Sequence, residues 1–310
     1  MKDDFTVLQS VYKNDNPDFL SECFASIFNQ TLKPQKIILV KDGILTQKLE
    51  EVISDWKEKL PLKVVGYENN QGLAHALNFG LQFVETELVA RMDSDDVAFP
   101  ERFEKQVKEF ETDKNLSVLG TGIEEFYNKS DGTVFTNVRL YPESTNKKSK
   151  KLFKGTPLAH PTVMLKTEIL KNFCYNEKTK CNEDIELWFR LLKAGIEFNT
   201  LQEPLLNFRI TDSTFKRRSF SKSVNEFKIY FSNLFSLFGF SWRLIFPVLR
   251  LFTRFLPYKL NRKLYLSNLR KTLFENRRGG VALNSNFVNY KKQYIFSDQK
   301  STEYSFGLSA

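Results

Sequence analysis

The stretch "VARMDSDDVAFPERF", residues 89–103, decides how the chain reads. A short apolar run ends at Met92, three carboxylates follow within the four residues Asp93 to Asp96, and Pro100 precedes the next amphipathic segment. On an extended strand end, residues two apart point the same way, so Asp93 and Asp95 can present oxygens to one point. Two convergent carboxylates with an open outer side suit a hard cation, Mg2+ or Mn2+, which completes its shell with water and phosphate oxygens. The same residues would also serve as a solvated acidic turn, because the positive N-terminal end of a helix favours acidic side chains. The surroundings decide between the two.

Upstream, apolar strands alternate with amphipathic helices. "FTVLQSVY" (5–12) reads as a buried strand, and the helix after it has Asn16 as N-cap, Pro17 at its first position and Phe19, Leu20, Cys23, Phe24, Ile27 and Phe28 along one face. "KIILV" (36–40), a helix marked by Leu49, Val52, Ile53 and Trp56, "LKVVGY" (62–67), a helix from about Leu73 to Phe83, and "ELVARMD" (87–93) continue the series. That β-α-β-α-β-α-β order predicts an α/β fold, a mostly parallel sheet with helices on both faces, which binds ligands at the carboxyl ends of its strands. Polar groups fall at those ends: Ser10 and Tyr12 on the first, Asp42-Gly43 on the second, Asn69, Asn70 and Gly72 on the third, the aspartates on the fourth. The cluster thus ends a buried strand among other polar strand ends, which favours a site over a plain turn.

Bulk properties agree with a folded protein of a reducing compartment. The 310 residues are 41% apolar, enough for a sizeable core. Three cysteines (Cys23, Cys174, Cys181) and two histidines (His75, His160) fit neither a disulfide framework nor a structural zinc site, which points to a reducing compartment. The beginning of the chain enters a strand pattern at once, so no signal peptide is expected. Net charge is +9, unevenly spread: residues 1–210 hold 28 Lys+Arg against 32 Asp+Glu, residues 211–310 hold 18 against 5.

In order and distance, "SVY", "LVKDG", "NNQGLAHALNFGL", "ARMDSDDVAFPERF", "LGT", "HPTVMLK", "NEDIELWFRL" and "FRITDS" resemble the glycosyltransferase family 2 pattern of the GT-A fold, a Rossmann-like architecture, in the branch that builds bacterial surface polysaccharides. The match spans roughly residues 5–215, within an expected catalytic domain of residues 1–215. The resemblance implies that Ser10, Tyr12 and Asp42 hold the nucleobase, with the Asp42 carboxylate accepting the imide N–H of uracil, and that Asn70 and Gly72 belong to the same nucleotide-sugar site. Asp93 and Asp95 correspond to the DxD motif for ribose and metal-diphosphate, with Asp96 beside them as a metal ligand. Arg91 either meets a phosphate or pairs with the aspartates. Glu183 and Asp184 correspond to the ED motif, where Asp184 is the base that deprotonates the acceptor; the helix N-terminus is expected to keep it ionised. His160 aligns with a histidine near the diphosphate or acceptor, and Arg209 with an arginine that orders a loop over the donor. Lys41 departs from the pattern, standing where many relatives have a second acid, and the QxxRW-type motif of processive synthases is absent, which implies one sugar per encounter.

The final third, residues 216–310, reads as a basic helical annex with a polar tail, "SDQKSTEYSFGLSA". From Phe215 to Phe274, aromatic and aliphatic residues interleave with Arg and Lys, and the longest uncharged run, Ile229 to Trp242, is 14 residues and too polar to span a bilayer. Helices lying on an anionic membrane surface fit this pattern. An annex packed on the catalytic domain, or a non-catalytic membrane or nucleic-acid adaptor, are its alternatives. The expected enzyme is an inverting, metal-dependent hexosyltransferase at the cytoplasmic face of the cell membrane. It would move one sugar from a nucleotide sugar, a UDP-hexose, to a polyprenyl-diphosphate-linked oligosaccharide.

Overall fold

The computed structural model describes residues 4–128, 134–149, 152–179, 181–211 and 220–254. The polar tail and the second half of the expected annex lie outside the described residues. Four predicted strands form as read: β1 (Phe5–Val11), β2 (Lys36–Asp42), β3 (Leu62–Tyr67) and β4 (Leu88–Arg91), joined by α1 (Pro17–Phe28), α2 (Gln47–Lys57) and α3 (Leu73–Leu81). They pair in parallel in the order β3-β2-β1-β4. The cap on α1 is as expected: Asn16 accepts from the backbone N–H of Asp18 at 2.8 Å and of Phe19 at 3.3 Å.

Past β4 the parallel pattern breaks. The turn at 93–96 leads into a two-residue strand, β5 (Val97–Ala98), and then α4 (Arg102–Thr112), β6 (Val118–Asn128), β7 (Val134–Arg139) and β8 (Ser144–Thr145). The segment "HPTVMLK" makes a 3₁₀ turn at His160–Thr162 and then β9 (Met164–Lys166), which lies antiparallel between β4 and β6. After α5 (Thr167–Phe173) and α6 (Glu183–Lys193), β10 (Phe198–Arg209) runs parallel to β6 and antiparallel to β5. The sheet is therefore mixed, parallel in its first half and interrupted by antiparallel strands in its second. A three-residue strand carries too few side chains for its direction to be read from sequence.

Strand alternation builds a core on each face. Val7, Ile37 and Leu39 point to α1, α2 and α4, while Leu8, Ile38 and Val40 point to α3, α5 and α6. The second core extends to α7 (Phe220–Phe238), whose Tyr230 and Leu234 are fully buried and whose Tyr230 ring meets Phe189 of α6 edge-on at 5.5 Å. Helix α8 (Ile245–Arg254) follows, with Phe246 packed on Phe153.

Gly80 sets the seating of α3 on the sheet. An added Cβ would fall 2.5 Å from Val40 Cγ2 and 2.7 Å from Leu8 Cδ1. Gly80→Ala is expected to lower unfolding stability by about 1–3 kcal/mol through overpacking, despite the better helix propensity of alanine, as measured by urea denaturation. Unchanged stability would mean that α3 shifts freely on the sheet.

Candidate active site

The carboxyl ends of β1 to β4 meet on one edge of the sheet. Asp15, after β1, accepts from the Tyr12 backbone N–H at 3.1 Å and from the Ser94 hydroxyl at 2.9 Å, which ties the end of β1 to the aspartate turn. At the end of β2, Asp42 is buried and its carboxylate is heavily engaged within the chain. It accepts from Tyr67 Oη at 2.9 Å, Asn70 Nδ2 at 2.8 Å, and the backbone N–H groups of Gln71 at 2.7 Å and Gly72 at 3.0 Å. These contacts use the acceptor positions of both oxygens, so Asp42 shapes the Asn69–Gly72 loop. Gly43 (φ +90°) permits the close crossing, since a Cβ there would sit 2.8 Å from the Asn70 nitrogen.

One oxygen from each of Asp93, Asp95 and Asp96 lies within 4.8 Å of the others. The Asp93 carbonyl is held by Gln9 at 3.2 Å and Cys23 at 3.3 Å, and its carboxylate is paired with the buried Arg91 guanidinium. Arg91 thus pairs with an aspartate, the second of its two expected roles. Asp96 is 1% exposed; its Oδ1 accepts from the Arg209 backbone N–H at 2.9 Å, and its Oδ2 has no partner. Burial, then the charges of Asp95 and Asp93, hold its carboxyl well above the usual range. Three crowded oxygen donors, one with a buried unmet oxygen, and a neighbouring Cys23 kept protonated by burial, make a donor set that fits Mg2+ or Mn2+ and not a thiolate-bound metal.

Arg209 does not reach over the edge of the sheet. It is 4% exposed and lies beneath the aspartate turn, with Nε donating to the Asp95 carbonyl at 2.7 Å, the guanidinium paired with Glu22, and its plane 4.0 Å from the Phe19 ring centroid and 4.7 Å from that of Phe126. It is a positioning residue for the acidic turn. Its partners Glu22 and Asp96 lie far away along the chain, and no local pattern points to them.

Glu183 and Asp184 open α6 after Asn182, which takes a left-handed conformation (φ 60°) and gives no side-chain cap. Contrary to the expectation from sequence, the helix end does not hold Asp184 fully ionised at neutral pH. Burial foremost, then the Glu183 charge, push the carboxyl up to about 7, and the Ile185 backbone hydrogen bond offsets only part of this. Glu183 is raised too, mainly by burial, with Arg91 lowering it and Asp93 raising it. The charge of Asp93 thus acts on both acids, which brings the aspartate turn and the α6 N-terminus into one site. His160 is buried there, its Nε2 2.8 Å from Tyr175 Oη and its ring edge-on to Trp188; burial and the Arg91 charge hold it neutral. Tyr175, which feels the charges of Arg91, Asp184, Glu183 and Asp93, is a site residue the sequence did not single out.

Residues 7–173 match the family described as Glycosyl transferase family 2. Over 283 residues, 88% of this chain and 100% of the relative, the sequence is 33% identical to a UDP-Gal:alpha-D-GlcNAc-diphosphoundecaprenol beta-1,3-galactosyltransferase of Escherichia coli. It is 32% identical to the amylovoran biosynthesis glycosyltransferase AmsE of Erwinia amylovora over 263 residues, 84% of this chain and 97% of that one. Among solved structures, Staphylococcus aureus TarS (residues 1–349) in complex with UDP superposes with a TM-score of 0.56 at 19% identity, covering 77% of this chain and 72% of TarS, a likeness of fold. With sequence, fold and acidic turn in agreement, the chain belongs to glycosyltransferase family 2.

Proposed function

We propose that the chain transfers one hexose from a UDP-hexose to a polyprenyl-diphosphate-linked saccharide, with inversion at the anomeric carbon, in the assembly of O-antigen, capsule or exopolysaccharide. The observation that carries this reading is the pairing of two acid sites in one place: a hard-cation set at the end of β4 and a carboxyl poised near neutrality at the start of α6. Similarity to the E. coli galactosyltransferase along its whole length supports the donor and acceptor classes. The nucleotide lies over the ends of β1 to β3, against Ser10, Tyr12 and the Asp42-ordered loop that carries Asn70 and Gly72. Arg91 and the buried, neutral His160 flank the diphosphate side of the same edge. A divalent cation, Mn2+ or Mg2+, held by Asp93, Asp95 and Asp96 would offset the charge that grows on the departing diphosphate. Asp184 takes the proton of the acceptor hydroxyl as that oxygen bonds to the anomeric carbon and the carbon–diphosphate bond breaks, through an oxocarbenium-like state. Glu183 beside it raises its proton affinity.

The region after β10 supplies a surface for the lipid end of the acceptor. No helix among the described residues is long and apolar enough to cross a membrane. Between α7 and α8, however, Phe240 is 93% and Trp242 65% exposed, and Ile245, Leu249 and Phe252 line one open side of α8 at helical spacing. With the excess of Lys and Arg beyond residue 210, this tip and helix face fit insertion into an anionic bilayer surface, at the cytoplasmic face where such acceptors are used.

Calorimetric titration with UDP in Mn2+ is expected to show binding that EDTA and Asp95→Asn each abolish; no nucleotide binding under any condition would sink the reading. Because the Asp184 carboxyl must lose its proton to act, kcat/KM is expected to rise as pH increases through about 7, and Asp184→Asn to lose transfer at every pH while keeping UDP binding. A profile flat from about pH 5.5 to 8 would remove Asp184 as base. In sedimentation with phosphatidylglycerol vesicles, Phe240→Ser with Trp242→Ser should release most of the bound protein. Undiminished sedimentation would place the membrane contact elsewhere.

A further inference from the structure

The outer half of the sheet carries polar side chains that donor binding does not use. Met164 of β9 pairs with Ala90 of β4 on one side and with Leu119 of β6 on the other, so Leu119 lies level with Ala90. Glu124, five residues further along β6, therefore stands beyond the end of β4, at the height of the aspartate turn. Across the sheet Glu124 pairs with Asn207 of β10, and Asn207 pairs with Val97 of β5. Directly paired residues project from one face, so Val97, Asn207 and Glu124 form a row that starts one residue from Asp96 and runs about 10 Å across the sheet from β5 to β6 at the usual strand spacing. That face is the one that carries the α6 side of the molecule. Gly120, on the same side of β6 as Glu124, would place a Cβ 2.7 Å from Leu158, which shares a core with Leu187 and Trp188 of α6.

The amide in this row is unmet, and the carboxylate beside it is buried. Asn207 is fully buried, and neither its amide nitrogen nor its amide oxygen has a hydrogen-bond partner. Glu124 is 5% exposed, and burial alone raises its carboxyl, with no charge partner acting on it. Asp96 Oδ2, at the head of the row, is likewise unpartnered. Buried amides and carboxylates are rarely left so in a folded chain without a ligand to meet them. An amide and a carboxylate side by side suit vicinal hydroxyls, since a hydroxyl donates to the carboxylate while accepting from the amide N–H. The row lies across β4 from the strands β1 to β3 that would take the nucleobase.

We propose that Glu124 and Asn207 form the acceptor-sugar subsite, where they bind hydroxyls of the receiving sugar and set which hydroxyl faces Asp184. The proposal rests on the sugar-transfer reading and adds the residues that select the acceptor. Its chemistry calls for an acceptor with at least two free neighbouring hydroxyls, one of them the nucleophile or next to it.

The test compares wild type with Glu124→Gln and Asn207→Val, using UDP-galactose and a panel of α-linked hexosyl and N-acetylhexosaminyl diphospho-alkanols. Acceptor KM is expected to rise about tenfold or more in each variant, with UDP affinity and acceptor-independent hydrolysis of the donor unchanged. Asn207→Val, which removes the unmet amide, is expected to keep or raise the Tm. A second readout is saturation-transfer NMR from the UDP- and Mn2+-loaded protein to free methyl glycosides: signal in wild type, loss in Glu124→Gln. Unchanged acceptor KM, a loss of UDP affinity in parallel, or no glycoside signal from a wild type that binds UDP would each overturn the subsite and leave the transfer reading standing. A wild type that binds no UDP would overturn both.

Discussion

The rest of this molecule is organised around a crowd of negative charge. Two unit charges about 5 Å apart repel by about 3 kcal/mol at an effective dielectric constant near 20, and the turn after β4 holds three carboxylates at such distances. The chain keeps them together by fixing the backbone beneath. Gln9 and Cys23 grip the Asp93 carbonyl, Arg209 grips the Asp95 carbonyl and one Asp96 oxygen, and Arg102 anchors the Arg91 carbonyl from below at 2.8 Å. The carboxylates themselves are compensated less fully, as the buried, unmet Asp96 oxygen and its raised proton affinity show. A turn so strongly held in its main chain, with an Asp96 oxygen left unmet, is suited to take up a cation from outside.

Asp42 shows the opposite allocation. Its charge is answered inside the chain by a phenol, an amide and two backbone N–H groups, and the product is a shaped loop at the end of β3. The two aspartate sites therefore differ in kind although both end parallel strands. One acid sets the form of a loop, and the other three form a donor set that suits a hard cation. The Asp42 carboxylate is already in use within the chain, so any further group that reaches it competes with the loop it holds.

The parallel half of the fold was legible because each strand writes its two faces into alternate residues, as Val7 and Leu8 or Ile37 and Ile38 do, and because Asn16-Pro17 marks a helix start by chemistry local to the chain. The acidic turn and the α6 acids were legible for the same reason. What the sequence concealed depends on contacts between distant segments. Arg209 reads as a surface cation until Glu22 and Asp96 are brought beside it, and β9 has too few residues to declare that it runs backwards. The proton affinity of Asp184 was misjudged because a helix start is visible in sequence while burial beside Glu183 is not. Glu124 and Asn207 look like the solvent side of ordinary strands, and folding puts them inside.

The two halves of the sheet bear different loads. The parallel strands β1 to β4 are packed on both faces by continuous apolar cores, which fixes the edge formed by their carboxyl ends and leaves little room for substitution. The β6, β10 and β5 half contains register shifts between Leu201, Pro204 and Leu206, and it holds the unmet Asn207 amide. Irregular pairing of this kind breaks the strict link between one strand's side chains and the next, so a residue there can change without forcing the core to repack. Unmet polar groups at such positions lower stability, which a chain of this size with two full cores can tolerate. The division sets a rigid parallel half against a half whose side chains are free to vary.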